Sequence, residues 1–118
     1  MVETARRGSF TTRDGSVVRE LVGPPSETAV NQSLAEATVA PGSETIAHHH
    51  RTSEEIYHFV SGAGRMRLGD QEAQVRAGDT VAIAPGTPHK LYNPGPEPLV
   101  LLCSCAPPYS DGDTVPLE

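Results

Sequence analysis

No stretch of this 118-residue chain approaches the roughly 20 apolar residues that a membrane span requires. Its start, Met1-Val2-Glu3-Thr4-Ala5-Arg6-Arg7, lacks the apolar core of a secretory signal, so the expected location is the cytoplasm, with no membrane partner. Basic residues are also few: nine Lys and Arg stand against fifteen Asp and Glu, a formal net charge of −6. With no basic stripe to neutralise phosphates, nucleic acid is excluded as an expected partner. Aromatics make up only 4% and hydrophobic residues 36%, while Gly and Pro number 11 each. That mixture argues against a helical bundle and suits short strands joined by turns. Cys103 and Cys105 stand too close for an unstrained disulfide along one strand and read as reduced thiols. The length fits one compact domain and excludes two.

What the chain has is punctuation. Ser9–Thr12 and Val17–Val22 are β-type runs separated by Asp14-Gly15, a dipeptide favoured in tight hairpins. Gly23-Pro24-Pro25-Ser26 interrupts, and a longer run follows from Ala29 to Val39, closed by Pro41-Gly42 and read as strand. Further runs recur at Glu44–His50, Glu55–Val60, Gly64–Leu68, Glu72–Val75, Thr80–Ile83, His89–Tyr92 and Leu99–Cys105, with turn residues between them. Regular short strands predict an all-β sandwich or barrel. Residues 1–25 form an N-terminal β segment, 26–106 the barrel and 107–118 a tail expected to lie as a cover on the surface. The N-terminal run cannot bury both faces of its own hairpin and needs a partner sheet.

Four of the five histidines fall in His48-His49-His50 and His58, and the fifth, His89, follows a second Gly/Pro turn. On an extended strand His48 and His50 share one face and His49 takes the other. Arg51–Glu54 is long enough to turn the chain and bring Glu55 back beside that pair, and His89 joins from another strand if the sheet curls. Three imidazole nitrogens and one carboxylate oxygen suit Fe(II), Mn(II), Ni(II), Co(II) or Zn(II), with positions left for water or substrate. Parity directs His49 and His58 away. Tyr57 and Phe59 share the inward face with Glu55. The Tyr57 hydroxyl is either the polar tip of a core aromatic or a hydrogen-bonding group for a bound oxygen. Met66 and Leu68 read as barrel filling, which turns Arg65 and Arg67 outward. Cys103 and Cys105 share a face that looks inward in a closed barrel, as packing or as a fifth ligand. Gln32 and Glu36, on one parity of the long strand, are candidates for the pocket mouth.

The segment Gly42-x5-His48-x-His50-x4-Glu55-x6-Gly62 is similar to the first motif of the cupin family, and Gly78-Asp79 through Pro85-Gly86-x2-His89-x3-Asn93 resembles the second. Ala84 stands where the second motif usually has proline, with Pro85 adjacent to Gly86. The resemblance covers about residues 30 to 105. It implies a double-stranded β-helix (cupin) barrel, jelly-roll-like, with one divalent metal per chain held by His48, His50, Glu55 and His89, with Glu55 rather than Glu54 as the carboxylate because it places Gly62 seven residues on. Small cupins commonly pair through N-terminal strands, so the resemblance also implies a homodimer.

Two functional classes follow. One is a metal-dependent enzyme acting on a small organic substrate, either an Fe(II) dioxygenase or a Lewis-acid lyase, isomerase or cyclase, with Tyr57 as the candidate acid or base. The other is a metal-stabilised binding or sensing module without turnover. With no inward Lys or Arg on offer, a sugar phosphate ranks low as ligand and a neutral or weakly anionic molecule fits better.

Overall fold

The computed structural model describes residues 10–11, 15–23 and 29–118. Among them run β1 (Phe10–Thr11), β2 (Val17–Val22), β3 (Ser33–Val39), β4 (His48–His50), β5 (Glu54–Ser61), β6 (Ala63–Leu68), β7 (Gln71–Arg76), β8 (Thr80–Ile83), β9 (His89–Tyr92), β10 (Leu99–Ala106) and β11 (Thr114–Pro116). A single 3₁₀ turn, Asp111–Asp113, precedes β11. No helix among the described residues is long and apolar enough to cross a membrane.

The strands form two antiparallel sheets, β1-β2-β3-β10-β5-β8 and β11-β4-β9-β6-β7, and the all-β, jelly-roll-like reading is what the fold is. Alternation explains how the sheets close on a core. On β5, Glu55, Tyr57 and Phe59 are buried, whereas Ile56 and Val60 turn to solvent. On β6, Gly64 and Met66 are buried while Arg65 and Arg67 are exposed, as their parity required. Phe59, Leu99 and Leu101 are fully buried, each contributing roughly 1.5–3 kcal/mol relative to exposure.

The N-terminal run does find a sheet, and it is this chain's own. β1 pairs with β2, and β2 lies along β3 with Val18 opposite Ala37 and Glu20 opposite Ala35. Asp14 of the expected turn lies outside the described residues. The tail does more than cover the surface, because Thr114–Pro116 pairs with His50–His48 and extends the second sheet. No apolar period in 106–113 announces that pairing; it rests on backbone groups of β4 that would otherwise form an open edge.

Gly62 joins β5 to β6 at φ +82°, and a Cβ there would collide with the Pro98 carbonyl oxygen. Gly42 has a comparable φ of +77° but open space around it. Gly62→Ala should therefore lower unfolding free energy by about 2 kcal/mol or more, and Gly42→Ala by only about 1 kcal/mol. Equal losses in denaturant titrations would contradict the steric cause.

Candidate metal centre

β4 and β9 of one sheet and β5 of the other contribute to a single cluster. His48 and His89 are direct cross-strand partners on β4 and β9, which sets their ring centroids 4.2 Å apart. His50 lies two residues on from His48 and therefore on the same face. Glu55 opens the inward parity of β5, whereas Glu54 is exposed. His89 is delivered by a tight turn: the Thr87 N–H donates to the Ala84 carbonyl, and the Gly86 N–H donates to the His50 carbonyl at 2.7 Å. With Pro85 directly before Gly86, the turn still forms at Gly86, whose φ is +79°. Asn93, the last residue of the second motif, is fully buried. Its amide donates to the carbonyls of Val39 and Glu97, tying β3 to the loop before β10.

These elements bring one ligand atom from each of His48, His50, Glu55 and His89 within 4.8 Å of one another, all four side chains buried. Their proton positions follow from the partners behind them. His48 Nδ1 lies 2.9 Å from the Ile46 carbonyl and His89 Nδ1 2.9 Å from the Thr87 carbonyl. A carbonyl only accepts, so both Nδ1 atoms carry hydrogen. His50 Nδ1 lies 3.0 Å from Thr114 Oγ1, whose own hydrogen goes to the Ser110 carbonyl, so this Nδ1 donates too. Each neutral ring then presents an Nε2 lone pair to the centre.

There the atoms are all acceptors. Glu55 Oε1 sits 3.1 Å from His50 Nε2 and 3.2 Å from His89 Nε2, and His89 Nε2 is buried with no hydrogen-bond partner. Acceptors facing one another out of water are reconciled only by a cation, either protons on the rings or a metal ion. Three protonated imidazoles packed this tightly would repel, so a single divalent ion fits the donor set better. Were the rings protonated instead, their hydrogen bonds and charge would outweigh the burial that raises the Glu55 carboxyl and lower its pKa from 4.5 to about 2. Nitrogen and carboxylate donors of this kind suit a borderline divalent transition metal.

The second carboxylate oxygen is occupied as well. Cys105, directly across from Glu55 in the β10–β5 register, donates its S–H to Glu55 Oε2 at 3.2 Å. Burial, and then the Glu55 charge, push this thiol well above the usual range, so it stays protonated. Cys105 and Cys103 both fall outside the four-residue ligand group.

The centre opens into a chamber of about 60 Å³. Its apolar side includes Val18, Val39, Leu91 and Leu101, and its polar side includes Glu20, Ser33, Tyr57 and Tyr109. Tyr57 is buried, with its ring edge-on to His89 at 5.7 Å. Neither Gln32 nor Glu36 reaches the chamber: Gln32 is exposed, and Glu36 is on the outer face, where it pairs with Arg19 at 3.1 Å. The register of β3 against β10 turns Ser33, Ala35 and Ala37 inward instead. His58 lies away from the site, against Thr80 Oγ1, and His49 does not join the ligand group.

Sequence reasoning missed the tail's part in the site. Thr114 fixes the His50 tautomer, and the Tyr109 ring stands edge-on to His50 at 5.9 Å. Asp113 accepts from the N–H groups of Thr52 and Ser53 and from the Thr52 hydroxyl, clamping the turn between His50 and Glu55. Burial opposes the Asp113 charge, yet those hydrogen bonds prevail and keep its carboxyl below the ordinary value. Glu20 was missed too, although Val18-Arg19-Glu20 places it on the parity of Val18, which packs against the core.

Comparison with known proteins matches residues 35–105 to the Cupin domain family model. An uncharacterized protein of Methanocaldococcus jannaschii is 50% identical over 109 residues, covering 92% of this chain and 87% of that protein. Among solved structures, a predicted oxalate decarboxylase from Thermotoga maritima superposes with a TM-score of 0.77 at 21% identity, covering 90% of this chain and 98% of that one. The nucleoside dehydratase Pac13 of Streptomyces gives 0.81 at 16% identity, covering 100% and 91%. The two structural likenesses establish a shared barrel, while the family match spans more than half of the chain and takes in both histidine motifs. The chain belongs to the cupin family.

Proposed function

We propose that this protein is a metal-dependent enzyme whose His48, His50, Glu55 and His89 hold one divalent transition metal, and whose substrate is a small, neutral organic molecule that chelates it through oxygen. The observation that carries this reading is the acceptor-rich centre, its three imidazoles oriented by Ile46, Thr87 and Thr114, with His48, His50 and Glu55 lining the adjoining chamber. Such a metal polarises a substrate oxygen as a Lewis acid or, if it is iron, activates dioxygen. The chain's own residues bind, orient and exclude water. Val18, Leu91 and Leu101 supply a dry wall. Tyr57, on the row beside Glu55, donates its hydroxyl hydrogen to a developing oxygen charge and is the proposed catalytic acid.

Charge selects the substrate class. The described lining residues include no Lys or Arg, and Glu20 joins Glu55 there. A dianion such as a phosphate ester would have only the proposed metal, itself already bound to Glu55, to offset its charge, with no Lys or Arg among the described lining residues to help. An enol, hydroxy-ketone or catechol-like oxygen pair carries no such penalty. We also propose that the chain is a homodimer, supported by three apolar side chains on the outer face of the six-stranded sheet, Val17, Ile56 and Val60, each more than 40% exposed. Light scattering at micromolar concentration should give twice the chain mass; a monomer would remove the claim.

Metal content tests the ligand set. Protein purified without a metal-loaded resin should carry about one ion per chain. His50→Ala or His89→Ala should lose it, and His49→Ala should keep it. Thr114→Val, with all four ligands intact, should weaken metal affinity about 10–100-fold; full occupancy in His50→Ala would overturn the assignment.

Substrate chemistry tests the rest. Catechol, used as an oxygen-chelating probe, should perturb the visible spectrum of Co(II)-substituted protein. Once a screen of oxygen consumption and of neutral hydroxy-carbonyl compounds yields a substrate, Tyr57→Phe should reduce kcat more than it raises KM. Equal effects on both, or none, would return Tyr57 to a purely structural role.

A further inference from the structure

The inward positions of β10 read Leu99, Leu101, Cys103 and Cys105. They are leucine where the row fills the core, and they change to thiol where it meets the carboxylate. Cys105 is 2% exposed and stands directly between Glu55 on β5 and Ser33 on β3 in register. Its sulfur lies 3.2 Å from Glu55 Oε2, while Oε1 faces His50 and His89. The two carboxylate oxygens are thus in different environments, one toward the acceptor cluster and the other against a hydrogen-bond donor.

A carboxylate with both oxygens available can close on an ion with both, taking two positions of its coordination shell. One with an oxygen already engaged offers a single donor atom. We propose that Cys105 is a positioning residue: its thiol hydrogen bond reserves Glu55 Oε2, so that Glu55 contributes Oε1 alone and adjacent coordination positions remain for an oxygen-chelating substrate. This rests on the metal reading proposed above and extends it to a residue outside the ligand group. A valine here would fill the same core volume. A thiol in that place, aimed at a buried carboxylate, adds a hydrogen bond that the packing does not require.

The experiment compares Co(II)-loaded wild type, Cys105→Ser and Cys105→Val in the full chain, reading the visible absorption of Co(II) and its affinity for azide. Serine keeps a donor and should retain the wild-type spectrum and azide affinity. Valine keeps volume and removes the donor; it should lower the Co(II) absorption, as a higher coordination number does, and weaken azide binding about tenfold or more, the size of effect that outer partners of metal ligands carry. A Cys105→Val protein with wild-type spectrum and azide affinity would overturn the inference. Should Cys105→Val fail to fold, the infrared S–H stretch of Cys103→Ser protein, in which only Cys105 contributes, decides instead. A band at hydrogen-bonded frequency before and after Co(II) loading is expected. Its loss on loading would mean that the sulfur binds the metal as thiolate, and a band at free-thiol frequency would mean that no bond to Glu55 exists; either overturns the role. Wild-type protein that takes up no Co(II) would instead remove the metal reading itself.

Discussion

Four buried acceptors held within 4.8 Å of one another, with every nearby imidazole hydrogen turned outward, form an arrangement that is unfavourable unless a cation joins it. Much of the surrounding architecture holds that arrangement in place. The carbonyls of Ile46 and Thr87 fix two tautomers through the backbone just before each strand, so the loops that deliver His48 and His89 also decide which nitrogen faces the centre. His50 cannot use a local carbonyl in this way. Its Nδ1 is satisfied from across the molecule by Thr114, more than 60 residues on in sequence.

That dependence makes the tail part of the site. Thr114 is buried, and the family match ends at residue 105, before the segment that contributes it. Asp113, one residue earlier, clamps the turn that separates His50 from Glu55. Leu117 N–H donates to the Ala47 carbonyl just upstream of His48, and the Glu118 carboxylate bonds the Ala47 N–H and Lys90 beside His89. Three of the four residues of the group thus have neighbours restrained by the last six residues. Docking of the tail and filling of the centre favour the same geometry, and each should stabilise the other by linkage.

Strand parity made the pairing of His48, His50 and Glu55 legible in sequence, because their separations are a few residues, while His89 and the form of the barrel came with the resemblance to the cupin motifs. His48 and His50 two apart, and Glu55 opening the next strand, need only the alternation of an extended chain. Features that depend on which strands become neighbours were not legible. The inward face of β3 was open in sequence, since Gln32 and Glu36 and their alternates are equally compatible with an isolated strand; the β10 register chose Ser33, Ala35 and Ala37. The pairing of Cys105 with Glu55 is likewise a cross-strand fact. The tail gave no signal because β11 docks through backbone pairing and three polar side chains, and hydrophobic periodicity does not report those.

That the site draws on strands of both sheets also bears on what can vary around it. The centre draws β4 and β9 from one sheet and β5 from the other, so its acceptor geometry is set by the fold itself and can persist while the chamber changes. The chamber wall is built largely by β2, β3 and β10, whose inward residues include Val18 and Glu20, then Ser33, Ala35, Ala37 and Val39, and Leu101, Cys103 and Cys105. Substitutions there alter charge and volume around a bound molecule without moving a ligand. In this chain that wall places Glu20 on the row of Ala35, Cys103 and Tyr57. The small side chain of Ala35 stands directly opposite the carboxylate-bearing Glu20 in register, so charge and volume in this part of the chamber are set by β2 and β3, the part of the barrel furthest in sequence from the second histidine motif.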